Sequence, residues 1–480
     1  MFKRLHQSWL LVSLCVGIFL GTVLAIIFRF EFFASPLWII FVVLLFGFAF
    51  LKPNYFFVII IFLAGIILAF FRTSADLSGE VFIEQFVGKT VEVSGQVTTD
   101  PNSDEGSTTL MLSEIAINEE MTKGTVFVSL SGNRLDIKRS DIITLSGRMS
   151  DGFGSFSGAI YRPEIKNIAH PEPGDIFLKI RDAFSERVKE YVPEKESSLG
   201  LAYLLGMKAE LSDEITDAMR IVGLTHIVVA SGTHLGIIVE ITKKLFGRVS
   251  RFAGFLFSIL LILIFGGIIG WTASILRAAI VTIFSLLAWY VGRKFEAWRI
   301  LLIAIALTLL INPMFITNLG WLLSFASFAG ILIFEPMIQK FFFGEKKISK
   351  LAEIILATIS AQLLCIPILL YFFGSISLIS PIANVLILPT IPLAMGLTFL
   401  TGVLAFPMVG NLLGFLTKIL LDYHLMIVNF FAEQKMFLVS FEPNNPLVFL
   451  LYVFILVPLI IKLIKDKKSR KFSSGFLLSI

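Results

Sequence analysis

The chain has 480 residues, of which 56% are hydrophobic and 16% charged, with a net charge of +5 and a mean hydropathy of +0.88. A soluble globular protein carries about 25% charged residues, so this balance argues against a soluble enzyme and for a polytopic membrane protein. The two cysteines, Cys15 and Cys365, sit in apolar runs, which argues against a disulfide framework or a cysteine-ligated zinc.

The first apolar run, Trp9 to Phe28, follows Lys3 and Arg4. It is too long for a signal-peptide core and no small-residue cleavage site follows, so it reads as a retained transmembrane helix. Further runs at 37–51 and 55–71 complete an N-terminal membrane segment, residues 1–71. Residues 72–173 are polar. Val91, Val93 and Val97 alternate with Glu92, Ser94 and Gln96, the period of a half-buried strand. Similar strands at 108–117, 124–130 and 141–149 predict a small β domain, with a five-stranded OB-like barrel as the expected form. Residues 174–220 read as an amphipathic helical connector that packs on the bundle, with Ser212 as an N-cap and Gly223 as a stop. Residues 221–464 hold nine more spans, at 221–242, 252–270, 272–291, 297–311, 318–337, 351–373, 378–404, 408–432 and 446–464. Each is near the roughly 20 residues a bilayer requires. The expected fold is therefore a polytopic α-helical membrane protein of about twelve transmembrane helices, some broken, with an OB-like β domain outside the cytoplasm.

Charge tests this topology. With Lys3 and Arg4 in the cytoplasm, the β domain falls outside. Lys243, Lys244, Arg248, Arg251, Arg293, Lys294, Lys340, Lys346, Lys347 and Lys350 then all fall inside, with the basic tail 465–480. Both termini are expected in the cytoplasm.

Polar residues inside the spans are costly and invite a functional reading. The run THIVVASGTHLGIIV places His226, Ser231, Gly232 and His234 where a straight helix is expected. Such a break frees backbone groups that must face protein or water. A hinge at 231–233 would leave His234 near the start of a second half-helix, whose N-terminus suits an anion such as phosphate. Arg277, Gln362 and Asn384 also lie within spans, the last flanked by Pro381, Pro389 and Pro392. Structural readings stand beside the functional ones: either histidine bonded to a backbone carbonyl, Arg277 bonded to helix ends, and Asn384 and Gln362 as interhelical glue. Ser231 lacks a nucleophile elbow and a carboxylate partner, and no metal motif is present.

Several pieces occur in the order found in one family. GLTHIVVASGTHLGIIV, ILRAAIV, VGRKFEAWRILLIAIALTLLINP, GWLLSFASFAGIL and AQLLCIPILLYFFGSISLISPIANVLILP together resemble the ComEC family of competence membrane proteins. The resemblance is strong over about 200–400 and looser over 1–200; Thr233 and Leu322 depart from the family pattern. It implies a channel passing single-stranded DNA across the bacterial inner membrane, with His226, Ser231, Gly232, His234, Arg277, Ser324, Gln362 and Asn384 lining or bracing the pathway. By the same resemblance the partners are an extracytoplasmic DNA receptor, a separate ATP-driven motor, the chain having no P-loop, and a separate nuclease. The expectation is a short form without the metallo-β-lactamase-like domain, with no metal or cofactor and no enzymatic activity. In the β domain, Phe127, Phe153, Phe156 and Tyr161 are candidates to stack on bases, and Arg134, Lys138, Arg139 and Arg148 to meet phosphates, although acids outnumber bases there. A transporter of a small anion or envelope precursor would use the same broken helices. An intramembrane hydrolase on Ser231 and His234 is the remaining alternative.

Overall fold

The computed structural model describes residues 8–29, 35, 37–51, 55–104, 106–132, 137–171, 174–229, 232–292, 296–344, 346, 348–434 and 438–440. The chain divides into two units, residues 1–182 with 232–321, and residues 183–231 with 322–480.

In the first unit, α1 (Ser8–Phe28) and α3 (Tyr55–Glu84) pack along a glycine seam, with α2 (Leu37–Leu51) against α3. A Cβ on Gly17 would fall 2.3 Å from the Phe62 carbonyl oxygen, and one on Gly65 2.6 Å from that of Leu14. Small residues of this kind let membrane helices approach where no hydrophobic drive separates helix from lipid. Gly17→Leu is accordingly expected to abolish accumulation of the chain in membrane fractions. Leu20→Ala, at a position 39% exposed on the same helix, is expected to leave it unchanged. Equal immunoblot levels for the two variants would show that the seam is dispensable.

Helix α3 runs on past residue 71, where the sequence reading ended it. Leu77 and Ile83 continue its buried face, and Ile83 enters the core of the β domain. Arg72 donates to the Leu310 and Ile311 carbonyls, at 2.9 and 2.7 Å, at the C-terminal end of α11 (Ala297–Ile311).

The β domain is built on β1 (Thr90–Val97), β3 (Ser107–Ile117), β5 (Val126–Ser131), β6 (Ile142–Asp151) and β7 (Gly158–Tyr161). Their order is β1-β3-β5-β7-β6, and β6 returns to β1, closing a five-stranded ring. The β5–β7 pairing is parallel and the other four are antiparallel. This barrel-like sheet is consistent with the OB-like expectation. Short strands β2 (Asn102–Asp104) and β4 (Glu120–Thr122) pair with β3, and β8 (Glu164–Ala169) pairs with β6. The alternating residues Val93, Leu112, Val128, Leu145 and Ile160 fill the interior.

The remaining helices of this unit are α8 (Gly232–Phe246), α9 (Arg251–Ile269), α10 (Ala273–Val291) and α11. Arg139 of the β domain donates to the Gly267 and Ile268 carbonyls at the end of α9, at 2.9 and 3.2 Å. The ends of α9 and α11 therefore share a side with the β domain. Lys243, Lys244, Arg248 and Arg251 cluster at the opposite end of α9, the distribution that charge predicts.

The second unit holds α5 (Glu194–Leu205), α6 (Asp213–Val222), the single-turn α7 (Thr225–Val228), most of α12 (Leu319–Phe343), α13 (Lys350–Phe373), α14 (Ser380–Ile387), α15 (Ile391–Val403) and α16 (Pro407–Glu433). Helix α4 (Ile176–Tyr191) begins in the first unit and ends in the second. Pro381, Pro389 and Pro392 each open a helical segment, where a missing N–H is harmless. Close approach sets α12 on α13, because a Cβ on Gly330 would lie 2.4 Å from the Ser360 carbonyl oxygen. Strands β9 (Ser375–Ser377) and β10 (Leu438–Ser440) pair, so α13 and α16 end on one side. The region read as a connector does pack on this bundle: Gly200 of α5 meets Thr398 and Leu421, and Tyr191 meets Gly410 and Gly414.

Among the described residues eight stretches are long and apolar enough to cross a membrane, against the twelve expected. The difference has physical causes. The run 221–242 is broken into α6, α7 and α8. Helices α2 and α11 have 15 residues each, about 22 Å at 1.5 Å per residue. The run 446–464 and the basic tail lie outside the described residues.

Candidate functional site

The broken run is built from strong local signals. Ser212 accepts the Ile215 amide at 3.4 Å and starts α6, and Gly223 ends it at φ +78. A side chain at Gly223 would also meet the Ser380 Cβ at 2.9 Å, so both conformation and space require glycine. One turn of α7 follows. Val229 is extended, and α8 begins at Gly232. The run is broken, but not over the expected hinge 231–233: Gly232 and Thr233 already belong to α8.

The break parts the sequence-predicted residues. His226, in the second unit, is exposed, and its Nδ1 lies 3.2 Å from the Gly223 carbonyl. A carbonyl only accepts, so Nδ1 carries the proton. Ser380 donates to the same carbonyl at 3.4 Å. His234, in the first unit, is 2% exposed and packs against Phe265 of α9 at 6.2 Å between ring centres. Ser231 lies outside the described residues.

Gly232 and Arg277 come together in the first unit. A Cβ on Gly232 would lie 3.8 Å from Nη2 of Arg277 and 3.8 Å from Cβ of Ala278, so α10 sets its guanidinium at the start of α8. A helix N-terminus carries partial positive charge and free N–H donors. The guanidinium adds to the positive potential of that end, which favours an anion there. From there Gly236, Val239 and Lys243 follow on one face of α8. With Val281, Thr282 and Ser285 of α10 they line a cavity of about 270 Å³. Gly236 has nothing within 4 Å of its Cβ position, so this wall is open. Lys243 closes the far end, its Nζ 4.8 Å above the Trp289 ring. The cavity thus has one cation, Lys243, at its wall and the hydroxyls of Thr282 and Ser285 beside it. Gly236, Thr282, Ser285 and Lys243 escaped the sequence reading; their signal is the shared helical spacing with Gly232 and Arg277. His234 lies on another face, against Phe265 of α9.

In the second unit, Asn384 is 2% exposed. Its Nδ2 reaches Thr358 Oγ1 at 3.4 Å, and its Oδ1 has no partner among the described residues. Gln362, half-buried, stands one turn beyond Thr358 on α13. Ser324 of α12 is half-buried, beside Leu323, whose carbonyl lies 3.6 Å from Cys365 Sγ. A larger cavity of about 500 Å³ is lined by Leu393, Leu397, Leu416, Ile419, Leu420 and Tyr423, whose hydroxyl donates to the Leu386 carbonyl, and offers an anion no cation. Among the described residues no three His, Cys, Asp or Glu side chains come together as a metal site.

The β-domain candidates divide as well. Phe127, Phe153, Phe156 and Tyr161 form one aromatic cluster, with Phe127 at 5.1, 5.5 and 6.2 Å from the other three rings. Phe153 and Tyr161 are 46% and 54% exposed. Arg148 is exposed and donates to the Gly88 carbonyl at 3.1 Å. Lys138 is paired with Asp182 at 2.7 Å. Arg139 departs from the expectation of a phosphate contact: it is 6% exposed and bonded to Asp175 at 3.0 Å as well as to the end of α9. Its short, charged surroundings read as a solvated loop, whereas its partners are distant in sequence. Arg134 lies outside the described residues.

The comparisons agree with the sequence motifs. The family model for the competence protein matches residues 203–466, more than half of the chain. ComE operon protein 3 of Bacillus subtilis (strain 168) is 23% identical over 322 residues, 65% of this chain and 40% of that protein. The chain thus aligns with well under half the length of that relative. No solved structure matches. With a family model covering the spans that carry the broken run, Arg277 and Asn384, the chain belongs to the competence protein family, of the ComEC type.

Proposed function

We propose that this protein is a channel that admits single-stranded DNA across the bacterial inner membrane during natural transformation. The observation that carries the reading is the cavity between α8 and α10, lined by Thr282, Ser285 and Lys243, with Arg277 near Gly232 at the start of α8. It offers cations and hydroxyls to phosphate without base-reading groups, as sequence-independent passage requires. The chain acts as a conduit, not an enzyme. The driving motor and the outer DNA receptor are separate polypeptides. The experiment is entry of fluorescent DNA into cells lacking this gene. Complementation should restore internalised DNA, and unchanged entry on deletion in a competent strain would contradict the channel. The size of the cavity also suits a small anion, and saturable uptake of such a solute without DNA entry would establish that second reading.

In the same reading, the Phe127 cluster is a stacking platform on the β domain. Base–aromatic stacking contributes about 1–3 kcal/mol per base. Tyr161→Ala is therefore expected to weaken binding of single-stranded DNA to the full chain in nanodiscs by roughly five-fold or more, measured by anisotropy. Unaltered affinity for Tyr161→Ala and Phe153→Ala alike would remove this face from the path.

A further inference from the structure

Four basic residues stand about the turn between α8 and α9, and their surroundings divide them. Lys243 lies over the Trp289 ring, and Lys244 pairs with Glu240, one turn back on α8, at 2.7 Å. Arg248 and Arg251 are exposed. Among the described residues no ion pair joins either of them to a carboxylate. Two guanidinium groups three residues apart therefore present their full charge outward.

Aromatic residues set the level of this turn. Trp289 and Tyr290 close α10 beside it, with the Tyr290 ring stacked on Phe255 at 5.0 Å and 6.4 Å from that of Phe252. Trp and Tyr gather where hydrocarbon meets water, so the turn lies at the headgroup level of a bilayer. The frame beneath the arginines is fixed. Gly247 donates its amide to the Lys243 carbonyl at 3.1 Å, and Val249 donates to that of Phe246 at 3.0 Å. The Ser250 hydroxyl accepts the Ala253 amide at 2.9 Å. A Cβ on Gly254 would lie 3.1 Å from the Gly247 Cα, so the first turn of α9 rests on the end of α8. Phe246 stacks on Phe257 at 4.3 Å across the same junction.

The side chains between and beside the arginines are apolar and uncovered: Val249 is 80% exposed and Phe252 58%. This mixture selects the ligand. A guanidinium fork matches phosphate in bidentate fashion. Val249 and Phe252 gain nothing from a free anion or a nucleic-acid backbone, whereas the glycerol and acyl chains of a lipid remove them from water. We propose that the α8–α9 turn is a docking site for an anionic phospholipid, with Arg248 and Arg251 on its phosphate and Val249 and Phe252 against its chains.

This inference stands apart from the DNA reading, and its test needs no transport. The full chain, purified in neutral detergent, is titrated with phosphatidylglycerol and with phosphatidylcholine of the same acyl chains. Native mass spectrometry counts the bound lipid. Wild type should retain phosphatidylglycerol in preference. Joint Arg248→Gln and Arg251→Gln substitution should weaken that binding by roughly 30-fold. Where the double variant does not accumulate, each single substitution serves, at roughly five-fold. Lys244→Gln, whose charge is already matched by Glu240, should bind as wild type does. Equal retention of the two lipids, arginine variants that bind as wild type, or an equal loss in Lys244→Gln would overturn the proposal. So would displacement of phosphatidylglycerol by a thymidine oligonucleotide, which would assign the turn to nucleic acid.

Discussion

Arg277→Ala is expected to cut DNA internalisation roughly 30-fold, with membrane levels unchanged. Removing one partner of a desolvated charge contact costs about 2 kcal/mol or more, and each 1.4 kcal/mol is about tenfold. Arg277→Lys keeps the charge and loses the planar fork, so partial activity is expected. The salt dependence of DNA binding should fall by about one phosphate contact in Arg277→Ala. His234→Ala should behave differently. His234 is buried against Phe265, so its loss leaves a cavity and lowers the amount of folded protein without altering the salt slope. Transformant counts with membrane immunoblots separate the two outcomes. An Arg277→Ala strain that takes up DNA normally would remove the guanidinium from the path.

Arg139→Ala is expected to destabilise the first unit by about 3–5 kcal/mol, the usual consequence of breaking a buried pair. It leaves Asp175 without its guanidinium partner and removes the side-chain donor to the Gly267 and Ile268 carbonyls. The expected readout is a lower thermal midpoint and protease cleavage near residue 175. A wild-type digestion pattern would show the joint to be idle. Acid should have the same effect in wild type. Burial pushes the Asp175 carboxyl up, but the Leu178 and Phe177 amides and the Arg139 guanidinium outweigh it and hold it below its ordinary value. The stability it contributes is present above the ordinary carboxylate range and is lost as pH falls through the lowered value. In Arg139→Ala that loss should begin at a higher pH.

Local signals were legible in the sequence. Ser212 and Gly223 announced the two ends of α6, because each answers a requirement of its own turn. Alternation at Val91, Val93 and Val97 announced β1. Strands β7 and β8 were not legible, since Gly158–Tyr161 and Glu164–Ala169 are too short to show a period and are fixed by β5 and β6. The groove was half legible. Arg277 stood out as a charge in an apolar run, but Thr282 and Ser285 came to share a cavity with Gly236 only when α8 packed on α10. Arg139 was misread for the same reason.

The most direct test places a photoactivatable cross-linking residue at Gly236, where open space admits it, and in a second strain at Leu260 of α9, which is 48% exposed. Labelled single-stranded DNA arrested during uptake should cross-link from position 236 and not from position 260. DNA that enters the cell and cross-links from position 260 but not from 236 would contradict a path along the groove between α8 and α10.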